Sequence, residues 1–151
     1  MRNVKYIAVH CTAGYGNIDS IKKYWKDKLK WKTVGYHIIV DLDGNLHYLL
    51  PFDQISNGVQ GFNSVTINIS YIGGVLKDDY TKASDTRTEA QKEGLKKAIL
   101  EAKKYAPNAK VQGHRDFSPD KNKNGIIDIN ERIKECPSFN VIPEYSNLKT
   151  K

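Results

Sequence analysis

Between Gln112 and Phe139 the chain reads Q-G-H-R-D-F-S-P-D-K-N-K-N-G-I-I-D-I-N-E-R-I-K-E-C-P-S-F, and more side chains able to do chemistry are gathered there than in the rest of the sequence. His114 closes an expected strand, oxygen-bearing side chains follow as far as Glu131, and Lys134 and Cys136 stand just beyond. Far upstream, His10 ends another expected strand. Imidazole nitrogen and thiolate sulfur are donors that a borderline-soft divalent cation such as zinc prefers, and a catalytic zinc site uses three protein ligands while leaving one position for water. His10, His114 and Cys136 would supply such a set. They follow neither C-x-x-C nor H-E-x-x-H spacing, and by residue type alone two histidines and a cysteine are more often ordinary core or surface residues.

Within the same stretch, Asp120 to Glu131 matches the side-chain pattern of a twelve-residue EF-hand loop. Asp120, Asn122 and Asn124 take loop positions one, three and five, Gly125 the tight turn, the Ile126 carbonyl position seven, Asp128 position nine and Glu131 position twelve. The expected ligand is Ca2+, weakly held. Lys121 and Lys123 lie inside the loop, and Pro119 spoils the usual entering helix. A metal-free turn uses the same residue types. Calcium here would be structural, steadying the segment between His114 and Cys136.

Five short words stand in order along the chain: V-H-C-T-A at 9–13, V-G-Y-H at 34–37, Y-I-G-G at 71–74, G-H-R-D at 113–116 and K-E-C-P-S-F at 134–139. With these words in register the chain resembles the zinc-dependent N-acetylmuramoyl-L-alanine amidases of type 2, a family that includes phage amidase lysozymes and is related to the peptidoglycan recognition proteins. The resemblance implies Zn2+ at His10, His114 and Cys136, with Tyr36 and Lys134 as catalytic residues. It implies hydrolysis of the amide between N-acetylmuramic acid and L-alanine in peptidoglycan. A cation two residues before the cysteine ligand is placed to stabilise an oxyanion, an effect of about 3 kcal/mol for one well-aimed donor. The alternative is a recognition module that binds muropeptides without cutting them; such relatives typically lack the cysteine ligand. In one place the chain departs from the family word, which more often has glycine where Asn68 stands.

The elements that must position these residues can be read in order. Val4 to Cys11 is rich in β-formers and delivers His10 at its end, with Cys11 on the opposite face as a small buried hydrophobe. Asp19 is the expected cap of a helix with apolar residues Ile21, Tyr24, Trp25 and Leu29. Trp25 and Trp31 read as core. Gly35–Leu42 and Asn45–Leu50 form a hairpin around Asp43-Gly44, a pair that tolerates positive φ at both turn positions. Tyr36 and His37 then point to opposite faces, and only one can face the metal. Residues 53–64 read as a loop on the cleft rim, Val65–Ile72 as a strand, and Lys77–Arg87 as an exposed excursion. Thr88 and Gln91 make a capping box for a helix with its stripe at Leu95, Ala98, Ile99 and Ala102, ended by Pro107. Lys110–Gly113 is the last strand. The expectation is an α/β fold: one domain over residues 1–151, a mixed central sheet with helices on its faces, an insertion at 120–131 and a tail frayed from about 144.

Length and composition agree. The 151 residues suffice for one core, and no apolar run approaches the ~20 residues of a membrane span. Two cysteines could form one disulfide, but a chain that begins M-R-N-V-K-Y-I-A-V-H-C lacks a secretory signal, and a reducing compartment keeps thiols free or metal-bound. Synthesis in the bacterial cytoplasm and action at the wall after release follow, as for a phage endolysin or a wall-remodelling amidase. The net charge of +7 favours anionic partners. Basic and acidic residues are interspersed and no nucleic-acid-binding word is present, so peptidoglycan is the expected partner and nucleic acid is not. A monomer without membrane insertion is expected.

Overall fold

The structure is a computed structural model that describes residues 2–118, 121–123, 127 and 135–148. β1 (Tyr6–Cys11) is flanked in parallel by β4 (Thr66–Tyr71) and β7 (Lys110–Gly113); β2 (Ile38–Val40) pairs parallel with β4, and β3 (Leu46–Tyr48) closes the edge antiparallel to β2. Among the described residues the sheet order is therefore β3-β2-β4-β1-β7. A small antiparallel pair, β5 (Val75–Leu76) with β6 (Asp79–Ala83), stands apart. Helix α1 (Ile18–Asp27) follows β1, α2 (Glu89–Tyr105) precedes β7, and α3 (Val141–Tyr145) packs near the end of the chain. The mixed sheet with helices is the expected class.

Period-two alternation gives the central strands two unlike faces. Ile7, Val9 and Cys11 of β1 and Ile67, Ile69 and Tyr71 of β4 join Leu95, Ala98, Ile99 and Ala102 of α2 in the main core. The intervening residues Ala8, His10, Asn68 and Ser70 are just as buried, but three of the four are polar. Buried polar groups require hydrogen-bond partners, which His10 and Asn68 find in each other and Asn68 also in Ser56 of the loop before β4. Loop 51–65 and the α1 side supply the cover, with Trp25, Ile39 and Ile72 as a smaller apolar cluster.

Several local expectations need correction. The cap of α1 is Asn17, whose side chain accepts from the Ser20 N–H, and not Asp19. Trp25 alone of that helix is buried; Tyr24 is 54% exposed. The hairpin exists, but its turn is wider: Asp41 Oδ1 accepts from the N–H groups of Asp43 and Asn45, and Gly44 takes a positive φ while Asp43 does not. The capping box on α2 is present as expected. The 77–87 excursion contains β6, and its Arg87 side chain is only 2% exposed. Nor are residues 144–148 a frayed tail, since Tyr145 is 4% exposed and Leu148 packs on the core.

Candidate metal centre

Three segments converge where the parallel strands end, the edge at which α/β sheets characteristically bind ligands. His10 is the penultimate residue of β1 and His114 opens the single 3-10 turn that follows the neighbouring strand β7. Cys136 arrives from a separate segment that is tied down at several points. Its carbonyl accepts from the Arg115 N–H at 2.9 Å, and the Cys11 N–H donates to its sulfur at 3.2 Å. The Tyr71 hydroxyl donates to the Pro137 carbonyl at 2.6 Å and the Ser138 hydroxyl to the Gly74 carbonyl at 2.7 Å. Gly113 allows the close approach, because a Cβ there would sit 2.8 Å from Pro137 Cδ.

The donor atoms of His10, His114 and Cys136 all lie within 4.8 Å of one another. His10 Nδ1 is 3.8 Å from Cys136 Sγ. Nitrogen and sulfur bound tetrahedrally to one zinc stand about 3.5 Å apart, so the His10–Cys136 pair is close to the spacing that ion requires, and the donor types of all three residues suit it. His10 Nε2 faces away from the cluster, 2.8 Å from Asn68 Oδ1. A metal-binding imidazole whose second nitrogen is held by a hydrogen bond is the arrangement expected of a ligand histidine. Cys11 and Cys136 are not joined to each other by a disulfide.

A family model of the N-acetylmuramoyl-L-alanine amidases matches residues 1–137. The chain belongs to this type 2 amidase family. An endolysin of Klebsiella phage KP32 is 28% identical over 138 residues, covering 89% of this chain and 81% of that protein. Among solved structures, the Ph2119 endolysin from Thermus scotoductus MAT2119 bacteriophage Ph2119 superposes with a TM-score of 0.70 at 21% identity, over 91% of this chain and 79% of the other. Drosophila PGRP-LB gives a TM-score of 0.67 at 17% identity, over 91% and 76%. The fold of this amidase-family member is thus shared by endolysins and peptidoglycan recognition proteins.

Around the three donors, Tyr36 is half-buried with its ring centroid 5.0 Å from that of His10, and its hydroxyl donates to the Cys11 carbonyl at 3.3 Å. Burial pushes the Tyr36 hydroxyl well above the ordinary tyrosine range, and the nearby cysteines add to this. It is a neutral donor at neutral pH. His37, just before β2, is fully buried away from the donor cluster's sulfur, with Nδ1 3.2 Å from Ser56 Oγ and Nε2 2.7 Å from the Gln54 carbonyl. Lys134 lies outside the described residues, as do Asp120, Asn124, Ile126, Asp128 and Glu131 of the EF-hand-like loop; Asn122 is the one calcium candidate within them.

Two features escaped the sequence. A groove of about 470 Å³ runs beside Tyr36, lined by Thr12, Ile21, Tyr24, Trp25, Leu29 and Trp31 among others. Trp25 is therefore both core and groove wall, which an apolar helical stripe does not distinguish. The second is the polar layer beneath His10. Loop 51–65 is more than a rim, because it sends Ser56 fully buried toward Asn68.

Proposed function

We propose that the protein hydrolyses the amide bond between N-acetylmuramic acid and L-alanine in peptidoglycan, with zinc held by His10, His114 and Cys136. The observation that carries this is the convergence of two imidazoles and one thiol, from three distant segments, within 4.8 Å at the carboxyl end of the central strands. Zinc bound by such a set supplies an acidified water and polarises a carbonyl near neutral pH.

The chain's own residues do the rest. The groove past Trp25 and Trp31 binds and orients the muropeptide, its aromatic walls offering faces for a sugar or stem peptide. Tyr36, a neutral hydroxyl beside His10, donates a hydrogen bond at the reacting amide, to the carbonyl oxygen or to the leaving nitrogen. Lys134, two residues before Cys136, stabilises negative charge on the carbonyl oxygen. Asp120, Asn122, Asn124, Ile126, Asp128 and Glu131 hold calcium in a structural role, which thermal melting with and without calcium checks.

The likeness to phage endolysins supports action at the bacterial wall, and the proposed acting form is a monomer. No helix among the described residues is long and apolar enough to cross a membrane. Binding of muropeptides without cleavage is the rival reading, supported by the fold shared with recognition proteins, and Cys136 within the donor cluster weighs against it. Digestion of purified peptidoglycan, with identification of the new chain ends, separates the two.

A further inference from the structure

Asn68 lies in the middle of β4, fully buried and among strand neighbours that are mostly β-branched or aromatic. Asparagine is disfavoured in strands, and burying its amide without partners costs about 1–3 kcal/mol. Here every polar atom of the side chain is used. Oδ1 is 2.8 Å from His10 Nε2, and Nδ2 is 2.7 Å from Ser56 Oγ. Room for the amide comes from the loop: a Cβ on Gly58 would meet Asn68 Cγ at 2.1 Å.

The protons of this network follow from two backbone groups whose roles are fixed. The Asn68 N–H donates to His37 Nδ1 at 3.0 Å, so Nδ1 carries no proton. The Gln54 carbonyl, 2.7 Å from His37 Nε2, can only accept, so Nε2 is protonated. Arg2 also approaches that nitrogen at 3.2 Å, but the same guanidinium nitrogen donates to the Thr66 carbonyl at 2.9 Å. Ser56 Oγ lies 3.2 Å from His37 Nδ1, which has no proton to give, so at this contact the hydroxyl is the donor and shares the single Nδ1 lone pair with the Asn68 N–H. Having used its one proton, Ser56 must accept from Asn68 Nδ2, which turns Oδ1 toward His10. An acceptor facing His10 Nε2 requires that nitrogen to be protonated. The lone pair of His10 is thereby left on Nδ1, the nitrogen that faces Cys136.

From this chain of donors and acceptors we infer that Asn68 is a positioning residue, which holds His10 in the Nε2–H tautomer so that Nδ1 is presented to the metal, and which is itself oriented by Ser56 and His37. The inference rests on the reading of His10 as a metal ligand, but the tautomer it assigns exists without metal. Losing such an outer partner typically costs about 10–100-fold in metal affinity.

The test uses the full chain. Long-range nitrogen–proton NMR on metal-free protein at pH 7.5 reads the His10 tautomer, and zinc titration against a competing chelator reads affinity, with Asn68→Leu and Asn68→Asp beside the wild type. Wild type should show unprotonated His10 Nδ1. Asn68→Leu, which keeps the volume and loses the acceptor, should show mixed tautomers and zinc binding weakened about 10–100-fold. Asn68→Asp keeps an acceptor facing Nε2, provided the Ser56 hydroxyl turns from His37 to donate to the second carboxylate oxygen, and should retain both properties to within a few-fold. A protonated Nδ1 in wild type, unchanged affinity and tautomer in Asn68→Leu, or an equal loss in Asn68→Asp would each overturn the inference. If Asn68→Leu does not fold, the wild-type tautomer and the Asp variant still decide. Absence of zinc binding by a wild type with the Nε2–H tautomer would instead support the network and overturn the metal-site reading.

Discussion

The guanidinium carbon of Arg87 lies 3.4 Å from the centre of the Phe139 ring, three residues past the candidate ligand Cys136. The same guanidinium pairs with Asp85 at 2.8 Å and Glu144 at 2.6 Å and donates to the Tyr145 hydroxyl at 3.0 Å. Hydrogen bonds from Arg87 hold both carboxyl groups below the ordinary range. One buried cation thus clamps the segment that follows Cys136 to the loop before α2. Arg87→Ala should lower stability by about 2 kcal/mol, since a desolvated cation–π contact and both carboxylate partners are lost. Urea unfolding checks this, and zinc affinity should fall with it because Cys136 loses its support.

The two cysteines should behave differently. Cys136→Ser replaces a thiolate by a far poorer zinc ligand and should abolish both stoichiometric zinc binding and hydrolysis. Cys11 is a member of the main core, and Cys11→Ser should keep zinc at a cost of about 1–2 kcal/mol for burying a hydroxyl. Zinc analysis of the two variants is the check; loss of metal in Cys11→Ser alone would mean that the wrong thiol has been chosen.

Tyr36→Phe and Lys134→Ala should bind zinc and melt near the wild type while losing most turnover, on the order of 100-fold each for a lost transition-state donor. Steady-state digestion of peptidoglycan, with zinc content measured on the same samples, tests this. Normal rates in both would leave the metal without these helpers.

His37 should make stability pH-dependent. Burial pushes its imidazole down to about 4, with the Arg2 charge assisting and the Gln54 carbonyl opposing. In the unfolded chain it titrates near ~6.5. Above that value neither state binds the proton and the contribution is complete. As pH falls from about 6.5 toward 4, the unfolded chain takes up a proton that the folded one refuses, so stability falls by up to ~1.4 kcal/mol per pH unit. Unfolding curves at pH 7 and pH 5 should differ more in wild type than in His37→Asn.

How much of this was legible depended on distance along the chain. His10 and His114 could be placed because each sits at the end of a short β-rich run, and the capping box at Thr88 and Gln91 is a local signal that needs no tertiary context. The polar layer was hidden for the opposite reason. Asn68 finds Ser56 twelve residues away, and His10 fifty-eight away, and nothing local marks them as partners. Arg87 read as exposed because a charged residue in a polar run usually is, until Phe139, Glu144 and Tyr145 arrive from more than fifty residues downstream. Asn17 and Asp19 are both good caps two residues apart, and propensity alone does not choose between them.

The central claim is amide hydrolysis dependent on the metal, and the measurement closest to it is digestion of purified peptidoglycan with counting of new L-alanine amino termini against new reducing sugar ends, before and after chelation and zinc restoration. New L-alanine termini without new reducing ends, lost on chelation and regained with zinc, are the predicted result. Muropeptide binding with no new L-alanine termini, or cleavage that persists fully after the metal is removed, would contradict the account.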